Sequence, residues 1–251
     1  MNVTERFSSR VSDYIKYRPG YPADLVDFLV REARLESGAP IVDVGSGTGI
    51  FSELLLRRGF TVYGVEPNRE MRGAAERLLV GYSNFHSVDG TAESTGLPDA
   101  CADVYVAAQA YHWFDAPRAR AEAKRILKRG GLAALVWNDR KIDTTPFLAA
   151  YDELLRSHGT DYEQVNHRNV DASRLDAFFG PSGYRETVFP NAQHFDWEGL
   201  YGRAMSSSYV PAEGHPKHLE FTERLRHLFD VHADAERVTI EYDTRLFLGA
   251  P

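Results

Sequence analysis

Apolar residues in the first 140 positions of the chain fall into two alternating patterns. Residues 41–44, 61–65, 84–88, 103–108 and 132–137 are compact apolar runs bounded by Gly, Pro, Asn or Asp, the pattern of short buried strands. Between them the apolar positions open to helical spacing. Leu25, Val26, Phe28, Leu29 and Val30 give a broad face to a helix over 23–34, and Phe51, Leu54 and Leu55 open one over 51–58 that Gly59 ends. Asn68 is placed to cap a helix over 70–80, and a fourth helix over 118–128 is closed by Gly130 and Gly131. Strand and helix in strict alternation predict an α/β fold: a doubly wound, mostly parallel sheet with helices on both faces and right-handed crossovers.

Beyond residue 140 the alternation breaks down. The pattern there predicts helices over 146–158, 173–179, 195–205 and 218–229, a sixth strand over 184–189 and a seventh over 237–248. The polar stretches 159–169 and 206–209 separate them. This yields a seven-stranded sheet whose insertions build a helical cap over one edge. Ahead of the first long helix, Phe7, Val11, Tyr14 and Ile15 suit a short amphipathic helix, which Pro19 and Pro22 break. That aromatic arm either packs over the core or closes over a ligand. The expected organisation is a single domain, 1–251, with an arm or lid (1–22), a binding core (23–140), cap insertions with strand six (141–236) and a final strand (237–251).

The chemistry concentrates at the ends of the predicted strands. Ile41-Val42-Asp43-Val44 runs directly into Gly45-Ser46-Gly47-Thr48-Gly49 and then into a helix. Glycine lets the backbone turn sharply and a ligand lie against it, and the amides of Thr48, Gly49 and Ile50 are unbonded donors at a helix start. A dinucleotide fingerprint places its third glycine one residue later than here. Glu66 ends the second strand, before Pro67 and Asn68, where a carboxylate can accept from both hydroxyls of a ribose. Met71 follows on the next helix, a flexible thioether suited to an adenine face or to the core. The third strand leads to Asp89-Gly90-Thr91-Ala92-Glu93, the fourth to Gln109-Ala110-Tyr111-His112-Trp113-Phe114, the fifth to Asn138-Asp139-Arg140. In open α/β sheets ligands bind at these carboxyl ends.

In this order the motifs resemble those of the class I, Rossmann-like S-adenosylmethionine-dependent methyltransferases. Asp43 to Gly49 is similar to their first motif, and Glu66-Pro67-Asn68, Gly90-Thr91-Ala92-Glu93, Gly96-Leu97-Pro98 and residues 125–131 continue the likeness. The arm Tyr17-Arg18-Pro19-Gly20-Tyr21-Pro22 and the run from Gln109 to Phe114 resemble more narrowly the small-molecule subgroup that includes trans-aconitate methyltransferase. The resemblance implies S-adenosylmethionine as cofactor, with S-adenosylhomocysteine as product. It also implies that Asp43, Gly45, Ser46, Gly47, Thr48, Gly49, Glu66, Pro67, Asn68, Met71, Thr91, Ala92, Glu93 and Gln109 bind it. Ala92 would offer its amide to the adenine. The family's Asp-Ala pair is Thr91-Ala92 here, so the acceptor for the adenine amine falls to Glu93, Asp89 or a carbonyl. The resemblance does not reach the methyl acceptor, which is expected to be a small molecule methylated at oxygen, a carboxylate or a hydroxyl. His112 is the candidate base, and Tyr14, Tyr17, Arg18, Trp113 and Arg140 shape the acceptor pocket. Two alternatives share the fold: a non-catalytic binder of the same cofactor, and a nicotinamide-dependent oxidoreductase.

Composition narrows the partners. A net charge of −7 supplies no basic stripe for a nucleic acid. The sole cysteine, Cys101, precludes an intrachain disulfide and fits a reducing compartment. No leader and no run long enough to span a membrane is visible, so a cytoplasmic protein is expected, as monomer or homodimer. The scattered histidines form no ligand cluster, and metal-free chemistry is expected.

Overall fold

The computed structural model describes residues 17–160, 162, 172–207 and 209–251. The predicted amphipathic helix with Phe7, Val11, Tyr14 and Ile15 lies outside them. Seven strands form one sheet in the order β3-β2-β1-β4-β5-β7-β6. They are β1 (Pro40–Val44), β2 (Thr61–Val65), β3 (Phe85–Val88), β4 (Ala102–Ala108), β5 (Leu127–Arg140), β6 (Arg185–Phe195) and β7 (Val238–Gly249). The first five pair in parallel, and β7 runs antiparallel between β5 and β6.

Eight α-helices are present among the described residues. Four cover the sheet: α1 (Ala23–Glu32), α2 (Ile50–Arg57), α3 (Arg69–Leu78) and α4 (Ala116–Ile126). The others are α5 (Pro146–His158), α6 (Ala172–Phe179), α7 (Trp197–Met205) and α8 (His218–His232). The central strands are buried on both faces, which explains their unbroken apolar runs. Val42, Tyr105 and Leu135 pack toward α4 and α6, while Ile41, Val104 and Val136 pack toward α1 and α2. A third cluster joins α5, α7 and α8, with Leu148, Leu200, Phe221 and Ile240 at its centre.

Among the boundaries that depart from the sequence pattern, three have a clear physical reason. Helix α4 begins at Ala116, not 118, because Asp115 accepts from the Arg118 amide at 3.2 Å and Pro117 suits the first turn. Strand β5 begins at Leu127, not 132. Leu127 pairs with Ala102, and the register then shifts so that Val104 meets Leu132, leaving the glycine pair inside an irregularity rather than before the strand. Strand β6 runs to Phe195, not 189. Pro190 and Asn191 look like breakers, but β6 is an edge strand, where a missing amide costs little.

Candidate functional site

The glycine turn has the geometry of a close-fitting seat. Gly45, Gly47 and Gly49 all have positive φ, at 69°, 57° and 85°. A Cβ on Gly45 would sit 2.5 Å from that of Ala110, and one on Gly49 would sit 2.7 Å from Leu79 Cδ1. These two glycines are required by the neighbouring protein. A Cβ on Gly47 would meet no protein atom within 4 Å, because it would point into a cavity of about 250 Å³ that Gly45 and Gly47 help to line.

The tips of the adjoining strands supply the other walls. From β2 come Glu66, Pro67 and Asn68, with Met71 on α3 behind them. The Glu66 carboxylate is nearly buried; one oxygen accepts from the Gly47 amide at 2.9 Å and the other from the Asn68 amide at 2.8 Å. Burial pushes its pKa up, and the two amide bonds and Arg72 act in the opposite direction. Each oxygen keeps a lone pair for a ligand hydroxyl. Asn68 caps α3, accepting from the amides of Glu70 and Met71 at 3.0 Å, so Met71 enters the wall from the first turn of a fixed helix.

The turn after β3 supplies Thr91, Ala92 and Glu93. Thr91 bridges to Ser94, and the backbone of Gly90 lies against that of Thr95 too closely for a Cβ. Glu122 on α4 then fixes the turn, accepting from the Thr95 amide at 2.7 Å and from its hydroxyl at 2.6 Å. Arg125 beside it holds the Glu122 carboxyl down at about 2. Glu93 accepts from the Asp115 amide at 2.9 Å. Asp89 is engaged with Arg72 at 3.0 Å and does not line the cavity.

Of the residues expected at a cofactor, Gly45, Gly47, Glu66, Pro67, Asn68, Met71, Thr91, Ala92, Glu93 and Gln109 meet around this one space. Asp43, Ser46, Thr48 and Gly49 stand behind the turn rather than on its wall. Asp43 accepts from the Ser52 hydroxyl at 2.7 Å, and burial raises its pKa to about 6. Among the described residues, neither Asp43 Oδ1 nor Thr48 Oγ1 has a hydrogen-bond partner, although both are buried. Unmatched polar atoms behind an open glycine fit a ligand with polar groups of its own.

At the tip of β4, Gln109 adopts a φ of 57° and donates from Nε2 to the Asn138 carbonyl at 3.3 Å. Ala110, Trp113 and Phe114 complete the cavity wall. Trp113, expected at an acceptor, therefore lines the same cavity as the residues expected at the cofactor. Ala110 and Phe114 were not singled out from sequence, although both belong to the same aromatic run. His112 is half-buried, its ring 4.7 Å from that of Trp113. Tyr111 turns the other way into the core, against Trp137 and Phe178.

The remaining described acceptor candidates contact α5, α7 and the residues just after α7. Tyr17 packs on α7 at Gly202, and its carbonyl accepts from Gln193 at 3.2 Å. Arg18 donates to the Ser206 carbonyl at 3.2 Å. Arg140 is buried, donating to Asp152 at 2.6 Å and to the Tyr162 hydroxyl at 2.7 Å. Tyr14 lies outside the described residues. Arg203 was not anticipated. The signal was a charged residue three positions after Leu200, on a helix face whose other buried positions are Leu200, Gly202 and Ala204. No group of three metal-binding side chains occurs among the described residues. No helix among them is long and apolar enough to cross a membrane.

A parallel α/β sheet closed by an antiparallel β7, with a glycine turn after β1 and an acid at the tip of β2, defines the class I, Rossmann-like methyltransferase fold. Residues 42–135 match the family described as a methyltransferase domain. An uncharacterized methyltransferase of Mycobacterium tuberculosis is 37% identical over 134 residues, covering 53% of this chain and 52% of the relative. The chain thus spans about half the length of that relative. A second uncharacterized methyltransferase, from Schizosaccharomyces pombe, is 26% identical over 234 residues, covering 89% and 88%. Among solved structures, a candidate type II methyltransferase from Anaeromyxobacter dehalogenans superposes with a TM-score of 0.69 at 24% identity, covering 93% of this chain and 98% of that one.

Proposed function

We propose that this protein is an S-adenosylmethionine-dependent methyltransferase acting on a small molecule at oxygen, either a carboxylate or a hydroxyl. The observation that carries the reading is the open seat at Gly47, with the Glu66 carboxylate held beside it by the Gly47 and Asn68 amides. When bound, the cofactor supplies a methyl group already activated on a sulfonium, so the protein's task is alignment and exclusion of water.

Glu66 would accept from the ribose hydroxyls. The glycine turn and the helix start behind it would take the amino-acid tail, with Asp43 suited to its ammonium group. Met71 and the Ala92 amide would hold the adenine, and Glu93 is the carboxylate of its turn that lines the cavity. On the acceptor side, Trp113 lines the cavity and His112, which does not, packs against Trp113, while Tyr17, Arg18 and Arg140 would reach the acceptor from beside α7 and α5. A carboxylate acceptor needs no base. For a hydroxyl acceptor, His112 would take the proton.

Calorimetry with S-adenosylhomocysteine tests the cofactor half: saturable heat is expected, with none from NADH. A screen with methyl-labelled cofactor against carboxylic acids, phenols and amines tests the acceptor half. Transfer to amines alone would overturn the assignment to oxygen.

A further inference from the structure

Arg203 is the least expected charge in the molecule. It is 6% exposed, and its described hydrogen bonds go to neutral oxygens: Nε to the Tyr242 hydroxyl at 3.3 Å and Nη1 to the Ser207 hydroxyl at 3.0 Å. A buried guanidinium held only by hydroxyls is a poor source of stability. Its surroundings point to a use.

On one face of the sheet, the carboxyl end of β5 and the strands beside it carry a polar band. Asn138 and Arg140 on β5, Tyr242 and Thr244 on β7, and Asn191 and Gln193 on β6 alternate onto the same side. The register sets Arg140 opposite Tyr242, and Tyr242 opposite Asn191. Thr244 donates to Asn138 Oδ1 at 2.5 Å, and Tyr242 to Gln193 Oε1 at 2.9 Å. Apolar residues flank the band, with Val136 and Leu246 on one side and Ile240 on the other. A folding core has no need of such a stripe.

Positive charge converges on it from three elements. Arg203, on α7, Arg18, on the arm, and Arg140, on β5, all draw the buried Tyr209 phenol below its ordinary pKa, against the effect of burial. Asp152 places one negative charge nearby, already shared among Arg140, Arg156 and Tyr162. The band adjoins the cofactor cavity. Gln109 lines that cavity and bonds to Asn138, two residues before Arg140 on the same face.

We infer that the methyl acceptor carries a carboxylate that docks on Arg203, with the Tyr242 and Ser207 hydroxyls beside it, one strand away from the cofactor space. This deepens the methyltransferase reading and rests on it. A guanidinium fork matches a planar carboxylate, and the charge of Asp152 disfavours a dianionic phosphate over a singly charged carboxylate.

The test is calorimetry on the full chain saturated with S-adenosylhomocysteine. The probes are short aliphatic and aromatic mono- and dicarboxylic acids, each paired with its amide, and inorganic phosphate. At least one acid should bind at least tenfold more tightly than its amide and more tightly than phosphate. Arg203→Gln should weaken that acid at least tenfold with S-adenosylhomocysteine affinity retained, and Arg203→Lys should recover part of the loss. Equal binding of acids and amides, preference for phosphate, or acid affinity that survives Arg203→Gln would overturn the inference while leaving the methyltransferase reading intact. If Arg203→Gln does not fold, the comparison of acid with amide on the unaltered protein decides. A chain that takes no S-adenosylhomocysteine would overturn the methyltransferase reading itself, and the anchor with it.

Discussion

Gly45 and Gly47 stand two residues apart in one turn, yet the same substitution should act on them through different physics. At Gly45 a side chain collides with Ala110 and Phe114, so Gly45→Val is expected to cost roughly 1–3 kcal/mol of overpacking, in addition to strain at positive φ. At Gly47 the added methyls project into the cavity. Gly47→Val carries the strain of a φ of 57° but meets no protein atom. It should lose only about 1–2 kcal/mol and keep a cooperative melt, while S-adenosylhomocysteine binding falls at least a hundredfold. Chemical denaturation and calorimetry on the pair separate the two outcomes. Asp43 makes a further prediction. Its carboxyl titrates near 6 in the fold against 3.8 as the ordinary value, so the folded state binds the extra proton. Stability therefore falls as pH rises from about 4 to about 6, by about 3 kcal/mol if the whole shift is expressed. Asp43→Asn should flatten that slope, measured as the denaturation midpoint against pH.

Most helices and strands of the first 140 residues were legible because they are bounded by residues that act locally. Gly59 at a φ of 82° ends α2, and Asn68 caps α3. The glycine turn and Glu66 followed from the same logic, since backbone shape and a strand-end acid are properties of a few consecutive positions. What stayed hidden is non-local. Pro190 is tolerated in β6 because of where that strand lies in the sheet, and the start of β5 depends on its pairing with Ala102. Arg203 reaches Tyr242 only through tertiary packing of α7 on β7. The contact between Tyr17 and Gly202 is of the same kind and can be tested. Gly202→Leu would fill the space the Tyr17 ring occupies and displace the arm from α7. With the arm assigned to the acceptor side, this variant should raise the acceptor KM about tenfold and leave S-adenosylhomocysteine affinity unchanged, as steady-state kinetics and calorimetry would report.

At the scale of the whole molecule, a cofactor that binds only the folded chain adds RT ln(1 + [L]/Kd). S-adenosylhomocysteine at a hundred times its Kd should therefore stabilise by about 2.7 kcal/mol. For a chain of 251 residues that corresponds to a rise of roughly 5–10 °C in melting temperature, readable by scanning calorimetry. The gain should vanish in Gly47→Val. Among the described residues the sheet that carries the site ends in two edge strands, and neither invites extension. At one margin β3 is only four residues long, with Ser87 tied to Glu76 and His86 stacked on Tyr63. At the other, β6 presents Pro190 in mid-strand and binds Arg245 through Glu186. A neighbouring copy seeking to prolong the ladder would find too few amides on one flank and a gap on the other. Crowded chains should accordingly resist fibril-like stacking, even though so much of β6 is exposed.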